Sequence, residues 1–275
     1  MKKILLLLSL LFLSACGSRG TFLDDFLVLS GSSMGQIDQY FDLDEKQHQR
    51  LEKDIDNDLN RLRKERFKEI AQTLRKIEKK AESSDPKIMS SAYRDLQAHY
   101  KDASSYFTTS TNTLISSLKP EQIANFEKQV RQEIKDTKEA LNHPDSLNEE
   151  IIGRYKKGLE FWIGDLSLSQ NQDIAKFAKE HPFPWKEKIK NKEAILAKFI
   201  DSKSSEQKMK AFAEKFVTNY DSVRTPEYAK AIASYENEVQ DFLDSFWKTL
   251  SPDQKSRMKD YLLTRADKLE SLAKK

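Results

Sequence analysis

The chain has 275 residues, of which 33% are charged and 38% are hydrophobic, with one cysteine, seven glycines and seven prolines. A single cysteine excludes an intramolecular disulfide, a CxxC redox pair and a thiolate metal site. The formal net charge is +3 with both signs interleaved, which excludes the polarised basic surface of a nucleic-acid-binding protein. Low glycine and proline contents beside abundant Lys, Glu, Leu and Ala favour helix along most of the chain.

The N-terminus has the pattern of a lipoprotein signal peptide. Two lysines precede an apolar run at residues 4–13, which is too short to cross a bilayer, because a spanning helix needs about 20 apolar residues. The run ends in Leu13-Ser14-Ala15-Cys16, which resembles the bacterial lipobox. The resemblance implies that residues 1–15 are removed and that Cys16 carries a diacylglycerol thioether and an acylated amine, with fatty acids such as palmitate. An ordinary secretory signal that ends in a chance cysteine is the alternative.

The residues after Cys16 predict a tether at residues 16–36 and a helical domain at residues 37–275. Several glycines and serines in the tether suit a flexible linker, and its apolar stretch at residues 22–29 is expected either to dock on the domain or to lie at the membrane surface. Two or more acyl chains anchor a domain stably. Because Gly17 rather than Asp follows the cysteine, the resemblance implies the periplasmic face of the outer membrane within the cell envelope.

Helical periodicity continues from the tether to the end, interrupted mainly at Pro and Ser/Asp pairs. No stretch alternates apolar and polar residues long enough to predict a strand. The pattern predicts an all-α fold, an elongated or curved bundle of eight or nine helices. The predicted helices lie at about residues 44–82, 87–117, 120–142, 147–164, 167–180, 184–201, 205–221, 226–249 and 252–273.

One motif recurs at helix starts: a Leu, a helix-start residue, and a Gln four positions after the Leu. Asp or Ser follows the Leu in three copies and is a good N-cap, so the Gln falls at the third helical position, where its amide can reach back to the N-cap backbone in a capping box. In the second copy Lys119 stands at the cap, and a contact between Leu118 and Ile123 is expected to replace it. The copies are Leu43 to Gln47, Leu118 to Gln122, Leu166 to Gln170 and Leu250 to Gln254.

These motifs resemble the Leu-Thr-x-x-Gln signature of the Spy and CpxP type of periplasmic helical proteins. That resemblance covers the motifs alone, since Thr never follows the Leu here, and it implies an ATP-independent chaperone or an envelope-stress modulator. Nearly the whole chain resembles a family of uncharacterised bacterial lipoproteins. That likeness rests on residues 38–43, on residues 161–167 and on the final Leu250 to Gln254 motif. It implies the helical fold and the envelope location, and no activity.

The side chains that carry chemistry form no recognisable catalytic, cofactor or metal pattern. The four histidines (His48, His99, His143 and His181) share no metal-binding spacing, and no phosphate-binding loop or nucleophile elbow is present. The basic runs at residues 61–66 and 186–192 could meet lipid or lipopolysaccharide phosphates, or be solvated helix faces. Aromatic residues could line a groove, although their spacing favours a core. They are Phe161, Trp162, Phe183, Trp185, Phe242, Phe246 and Trp247.

The sequence therefore predicts a membrane-anchored envelope lipoprotein whose helical domain is non-enzymatic and binds an envelope protein or polymer. A chaperone or stress modulator of the Spy type is the alternative. An envelope hydrolase is a third possibility, and it requires carboxylates or histidines brought together by folding.

Overall fold

A computed structural model describes residue 34 and residues 37–81 and 85–274. The predicted signal peptide and Cys16 lie outside these residues. All regular secondary structure in the described residues is helical, so the predicted all-α class is confirmed. The described helices are α1 (Glu45–Lys80), α2 (Ile88–Ser104), α3 (Thr108–Ser117), α4 (Pro120–Ala140), α5 (Pro144–Ile163), α6 (Leu168–Glu180), α7 (Trp185–Ser202), α8 (Glu206–Thr218), α9 (Pro226–Trp247) and α10 (Pro252–Leu272), with 3₁₀ turns at Ser105–Phe107 and Tyr220–Val223.

The longest helix, α1, provides the surface on which its neighbours pack. Its 36 residues extend about 54 Å, and an apolar face that includes Leu51, Ile55, Leu59 and Leu62 is buried along it. The C-terminal helix α10 and the helices α2 and α3 all pack against α1. The largest core cluster joins residues of α1, α2, α5, α9 and α10, so the last helix of the chain is part of the same core as the first.

Ion pairs fix the direction in which α10 lies along α1. Arg75 binds Asp267 at 2.6 Å and Glu270 at 3.1 Å, whereas Glu78, one turn further along α1, lies 3.7 Å from Lys259. Because later residues of α1 meet earlier residues of α10, the two helices are antiparallel. The start of α10 therefore lies towards the C-terminal end of α1.

Three further clusters complete the interior. One joins Tyr40 with α3, α4, α7 and α8, and another joins α5, α6 and α9 with Phe183. In the last, Met34 and Ile37 pack against Leu51 and Ile55 of α1. Met34 is buried although the sequence places it in the tether, so packed residues begin before the predicted domain boundary.

Two predicted helices are shorter in the structure than in the sequence pattern. The predicted helix at residues 87–117 is divided by the 3₁₀ turn Ser105–Phe107, and the predicted helix at residues 205–221 ends at Thr218. The division coincides with a cap from outside: the carboxylate of Asp58 on α1 accepts a hydrogen bond of 2.9 Å from the backbone N–H of Ser110 in the first turn of α3. The ten α-helices given above are therefore close to the eight or nine that the sequence predicts.

The start of α2 is capped in the same way. Neither α2 nor α3 has a side-chain hydrogen bond from its own N-cap residue. Asp244 on α9 accepts a 2.9 Å hydrogen bond from the N–H of Ser90, the third residue of α2. Asp58 and Asp244 are both buried, and each satisfies a helix-terminal donor that would otherwise lack an acceptor.

Gly164 ends α5 and allows the chain to turn directly into the next helix start. Its φ of 80° and ψ of −154° lie in a region that is essentially restricted to glycine, and a Cβ at this position would lie 2.6 Å from Nη1 of Arg257. Gly153 in the same helix has no heavy atom within 4 Å of such a Cβ.

We expect Gly164→Ala to lower the free energy of unfolding by about 1–3 kcal/mol, because alanine strains this backbone conformation. Gly153→Ala should raise it by about 0.5–1 kcal/mol, since alanine favours a helix interior over glycine. Urea unfolding followed by circular dichroism measures both changes. Equal effects of the two substitutions would contradict the backbone assignment at Gly164.

Candidate functional site

The first two motif glutamines bind each other through their side-chain amides. Nε2 of Gln47 donates to Oε1 of Gln122 at 2.9 Å, and Nε2 of Gln122 donates to Oε1 of Gln47 at 2.8 Å. Each Nε2 also donates to a backbone carbonyl beside the other motif, from Gln47 to Ser117 and from Gln122 to Asp42 at 2.9 Å. The starts of α1 and α4 are thus joined by a reciprocal amide pair.

The third and fourth glutamines form a second pair with the same geometry. The reciprocal amide bonds between Gln170 and Gln254 measure 2.9 and 3.0 Å. Gln170 also donates to the carbonyl of Thr249 at 3.3 Å, and Gln254 to that of Asp165 at 2.9 Å. In both pairs the backbone acceptor lies five residues before the partner glutamine. The contact between α6 and α10 therefore repeats the contact between α1 and α4.

Each glutamine also caps its own helix. Its Oε1 accepts from the N-cap backbone N–H, at 2.9 Å from Asp44, Lys119 and Ser167 and at 3.0 Å from Ser251. An amide side chain has two donors and can accept two hydrogen bonds, and here all four are used. The motif glutamines are therefore structural groups with no hydrogen-bonding capacity left for a ligand.

Lys119, the exception among the N-caps, contacts the partner motif instead of its own helix. Its Nζ lies 3.0 Å from Oδ2 of Asp44, the N-cap of α1. The hydrogen bond from the Gln47 backbone and the Lys119 ammonium together hold the pKa of Asp44 below its usual value. Leu118 and Ile123, predicted to contact each other, both pack against the cluster that contains Tyr40.

The motif leucines pack against the core clusters: Leu250 is buried, and Leu43, Leu118 and Leu166 are half-buried. Leu250 belongs to the core cluster of α1 and α10, and Leu166 packs against that cluster. Leu118 packs against the Tyr40 cluster, and Leu43 against the cluster of Met34. Each motif thus supplies one apolar side chain to the core and one amide to a pair.

The histidines are dispersed over the described residues. His99 shares a 2.7 Å hydrogen bond with Thr73, His48 lies 3.3 Å from Asp38, and His181 lies 3.1 Å from Glu238. His143 is the N-cap residue of α5 and makes no side-chain cap bond. Within residues 37–81 and 85–274, no three His, Cys, Asp or Glu side chains form a group that could hold a metal ion.

Two of the four basic residues in the first basic run, Arg61 and Arg66, are paired with neighbouring carboxylates. Arg61 pairs with the buried Asp58 at 2.9 Å, and Arg66 pairs with Glu69 at 2.9 Å and with Asp102. This arrangement is that of a solvated helix face with ion pairs on it.

The aromatic residues divide between the core and its margin. Phe183, Phe246 and Trp247 are buried, while Phe161 and Trp162 are half-buried and stack edge-to-face on Tyr261. The side chain of Asn191 on α7 joins this helix to the segment around the turn Tyr220–Val223. It accepts a hydrogen bond from the N–H of Thr225 at 2.8 Å and donates one to the hydroxyl of Tyr220 at 3.3 Å.

The second basic run contains a lysine in an unusual environment. Lys188 is the fourth residue of α7, and its side chain extends towards the N-terminus of the helix, as side chains on a helix do. Its Nζ lies 5.0 Å from the ring centre of Phe183 and 4.9 Å from that of Trp185. Among the described residues no carboxylate forms a direct ion pair with Lys188, and the two that act on it from further away, Glu150 and Glu133, are paired with other cations.

Two further cations adjoin Lys188, and each already has a partner. Arg154 on α5 pairs with Glu150, and Lys192 on α7 pairs with Glu133 of α4; the two cationic side chains are only 19% and 18% exposed. Burial, followed by repulsion from Arg154 and from Lys192, lowers the pKa of Lys188 to about 7. This group of three cations and two carboxylates is the candidate functional site, because a strongly perturbed titratable group without a partner is typical of binding sites.

Sequence reasoning did not distinguish Lys188 from the lysines beside it. The run at residues 186–192 was interpreted as a solvated face or a phosphate-binding surface, and Lys190 is indeed exposed. A partial signal was present, since Lys188 follows Trp185 by three residues and so shares its helix face. Arg154 and Glu133 carry no signal in the sequence, because folding brings them from other helices.

None of the helices in the described ranges is both long enough and apolar enough to span a membrane.

A model of a family of unknown function, DUF6279, matches residues 39–229. The chain belongs to this family. The matched region contains three of the four motifs, Lys188 and the four charged residues around it, whereas α10 and its motif lie beyond it. No curated protein and no solved structure matches the chain.

We expect Gln122→Leu to lower the free energy of unfolding by about 2–4 kcal/mol, because it leaves Gln47, a backbone carbonyl and an N-cap N–H without partners. Gln129→Leu, at an exposed position on the same helix, should change it by less than about 0.5 kcal/mol. The double variant Gln47→Leu with Gln122→Leu should be less destabilised than the sum of the two single variants. Urea unfolding provides the comparison, and additive losses would argue against the pair.

The pKa of Lys188 gives stability a specific dependence on pH. Between its pKa of about 7 in the folded chain and 10.5 in the unfolded chain, the unfolded state binds more protons, so stability rises with pH by up to about 1.4 kcal/mol per unit. Lys188→Met should remove this slope and Lys190→Met should retain it. Urea unfolding at about pH 7, 8 and 9 measures the slopes. Identical slopes for the native chain and Lys188→Met would disprove the assignment.

Proposed function

We propose that the protein is a lipid-anchored lipoprotein of the bacterial envelope whose helical domain is a non-enzymatic binding or structural module. The observation that carries the proposal is Cys16, the only cysteine in the chain, at the end of an apolar leader with lipobox spacing. The anchor would hold the domain at the periplasmic face of the membrane, and the resemblance noted above favours the outer membrane.

One group of charged side chains in the domain supports a binding role. The recurring polar side chains, which are the motif glutamines and the buried aspartates, are engaged in capping and joining helices. The group around Lys188 instead has an uncompensated charge, so it is the site at which a ligand of the envelope would gain most from binding.

A Spy-type chaperone is the second candidate function. A chaperone of this kind would bind an unfolded client through an exposed apolar surface. Among the described residues, Leu168 is the one large hydrophobic side chain that is strongly exposed, at 77%. Suppression of client aggregation by the purified chain at near-stoichiometric ratio would favour the chaperone over the binding module.

We expect Cys16→Ser to abolish incorporation of a palmitate analogue and to block processing of the precursor, because the thioether cannot form. Ser30→Ala, in the same predicted tether, should leave both unchanged. Residues 17–275 exported behind an ordinary cleavable signal should be recovered in the periplasmic fraction rather than with membranes. Acylation of the Cys16→Ser chain, or membrane recovery of the exported residues 17–275, would overturn the anchor.

A further inference from the structure

The charges around Lys188 do not balance. When Lys188 is protonated, Arg154, Lys188 and Lys192 contribute three positive charges, and Glu150 and Glu133 contribute two negative ones, each already in an ion pair. The remaining positive charge belongs to Lys188. Its two aromatic neighbours attract it through their ring faces, but such contacts are weaker than a charge-assisted hydrogen bond to an anion.

The backbone at this position adds to the positive potential. Helix α7 begins at Trp185 behind Pro184, which provides no side-chain cap, and the Trp185 N–H donates to the backbone carbonyl of Phe183 at 2.8 Å. Lys188 lies close to this positive end of the helix, where a cation is unfavourable and an anion is favourable. The side-chain charges and the helix end therefore attract the same kind of ligand.

We propose that Lys188, Arg154 and Lys192 bind one phosphate-type oxyanion at the junction of α4, α5 and α7. A phosphate group has enough oxygen atoms to accept from an ammonium, a guanidinium fork and a second ammonium together. The inference rests on the proposed binding function and specifies its ligand class. The half-buried ring of Trp185 adjoins this position and can contact an organic part of the ligand, so the phosphate could belong to a lipid headgroup or to a free phosphate compound.

Calorimetric titration of the full-length chain in a neutral detergent tests the site with two probes, inorganic phosphate and the water-soluble lipid dihexanoyl-phosphatidylglycerol. We expect one-to-one binding of at least one probe. Lys188→Met should weaken it tenfold or more, Lys190→Met should change it less than about twofold, and Lys188→Arg should retain it. Tighter binding of the lipid assigns the site to a headgroup, and tighter binding of inorganic phosphate assigns it to a free phosphate.

A pH series with the lipid probe tests whether Lys188 itself is the group that binds. The phosphodiester does not titrate near neutrality, and the other charged groups around Lys188 are Arg154, Lys192, Glu150 and Glu133. Affinity should fall as pH rises above about 7, because the neutral amine must take up a proton to bind. The fall should be absent in Lys188→Arg.

Absence of binding by both probes, or equal binding by the native chain and a cooperatively folded Lys188→Met variant, would overturn the proposal. The readout is separate from that of the anchor, since acylation at Cys16 is measured without phosphate. Failure of phosphate binding with Cys16-dependent acylation intact would therefore overturn this inference alone.

Discussion

The reciprocal amide pairs are the constraint on which the arrangement of the helices depends. A helix start must find acceptors for its terminal N–H groups, and here one amide per helix serves its own N-cap and a second helix at once. An amide pair can form only when the N-terminal ends of the two helices lie next to each other. The pairs therefore join α1 to α4 across 75 residues of chain and α6 to α10 across 84. Because α10 is antiparallel to α1, the two pairs lie near opposite ends of α1, about 50 Å apart.

Buried carboxylates extend the same principle to helices that have no cap of their own. Helix α3, with the sequence TTSTNTLISS, is rich in Ser and Thr and is a poor helix former in isolation. Its first turn receives the carboxylate of Asp58 on α1, and the first turn of α2 receives that of Asp244 on α9. Two locally weak helices are thus stabilised by tertiary hydrogen bonds, which makes the local structure depend on the packing.

Sequence periodicity predicts most of the fold because it encodes local structure. Proline and N-cap residues placed most helix starts, and the apolar stripe after Gln47 identified the buried face of α1. The division at residues 105–107 has no proline or glycine to mark it, and the carboxylate that caps the helix after it, that of Asp58, comes from another helix. The sequence does not predict the glutamine pairs either. The spacing Leu-x-x-x-Gln predicts a capping box, whereas the partner of each glutamine depends on how the helices fold together. Lipidation at Cys16 stays a prediction from sequence, outside the described residues.

Lys188 differs from these groups in that packing gives no reason for its charge. Gln47, Asp58 and Asp244 each satisfy a backbone donor or acceptor that would be unpaired without them, so their burial stabilises the fold. The Lys188 ammonium, which lies beside the rings of Phe183 and Trp185, satisfies no such group, and its pKa is lowered because burial disfavours its charge. A methionine could fill the same space beside the two rings without that penalty. The folded chain is therefore less stable with lysine than with methionine at this position, and an anionic ligand of the kind proposed above would offset that loss by restoring the proton and binding the charge.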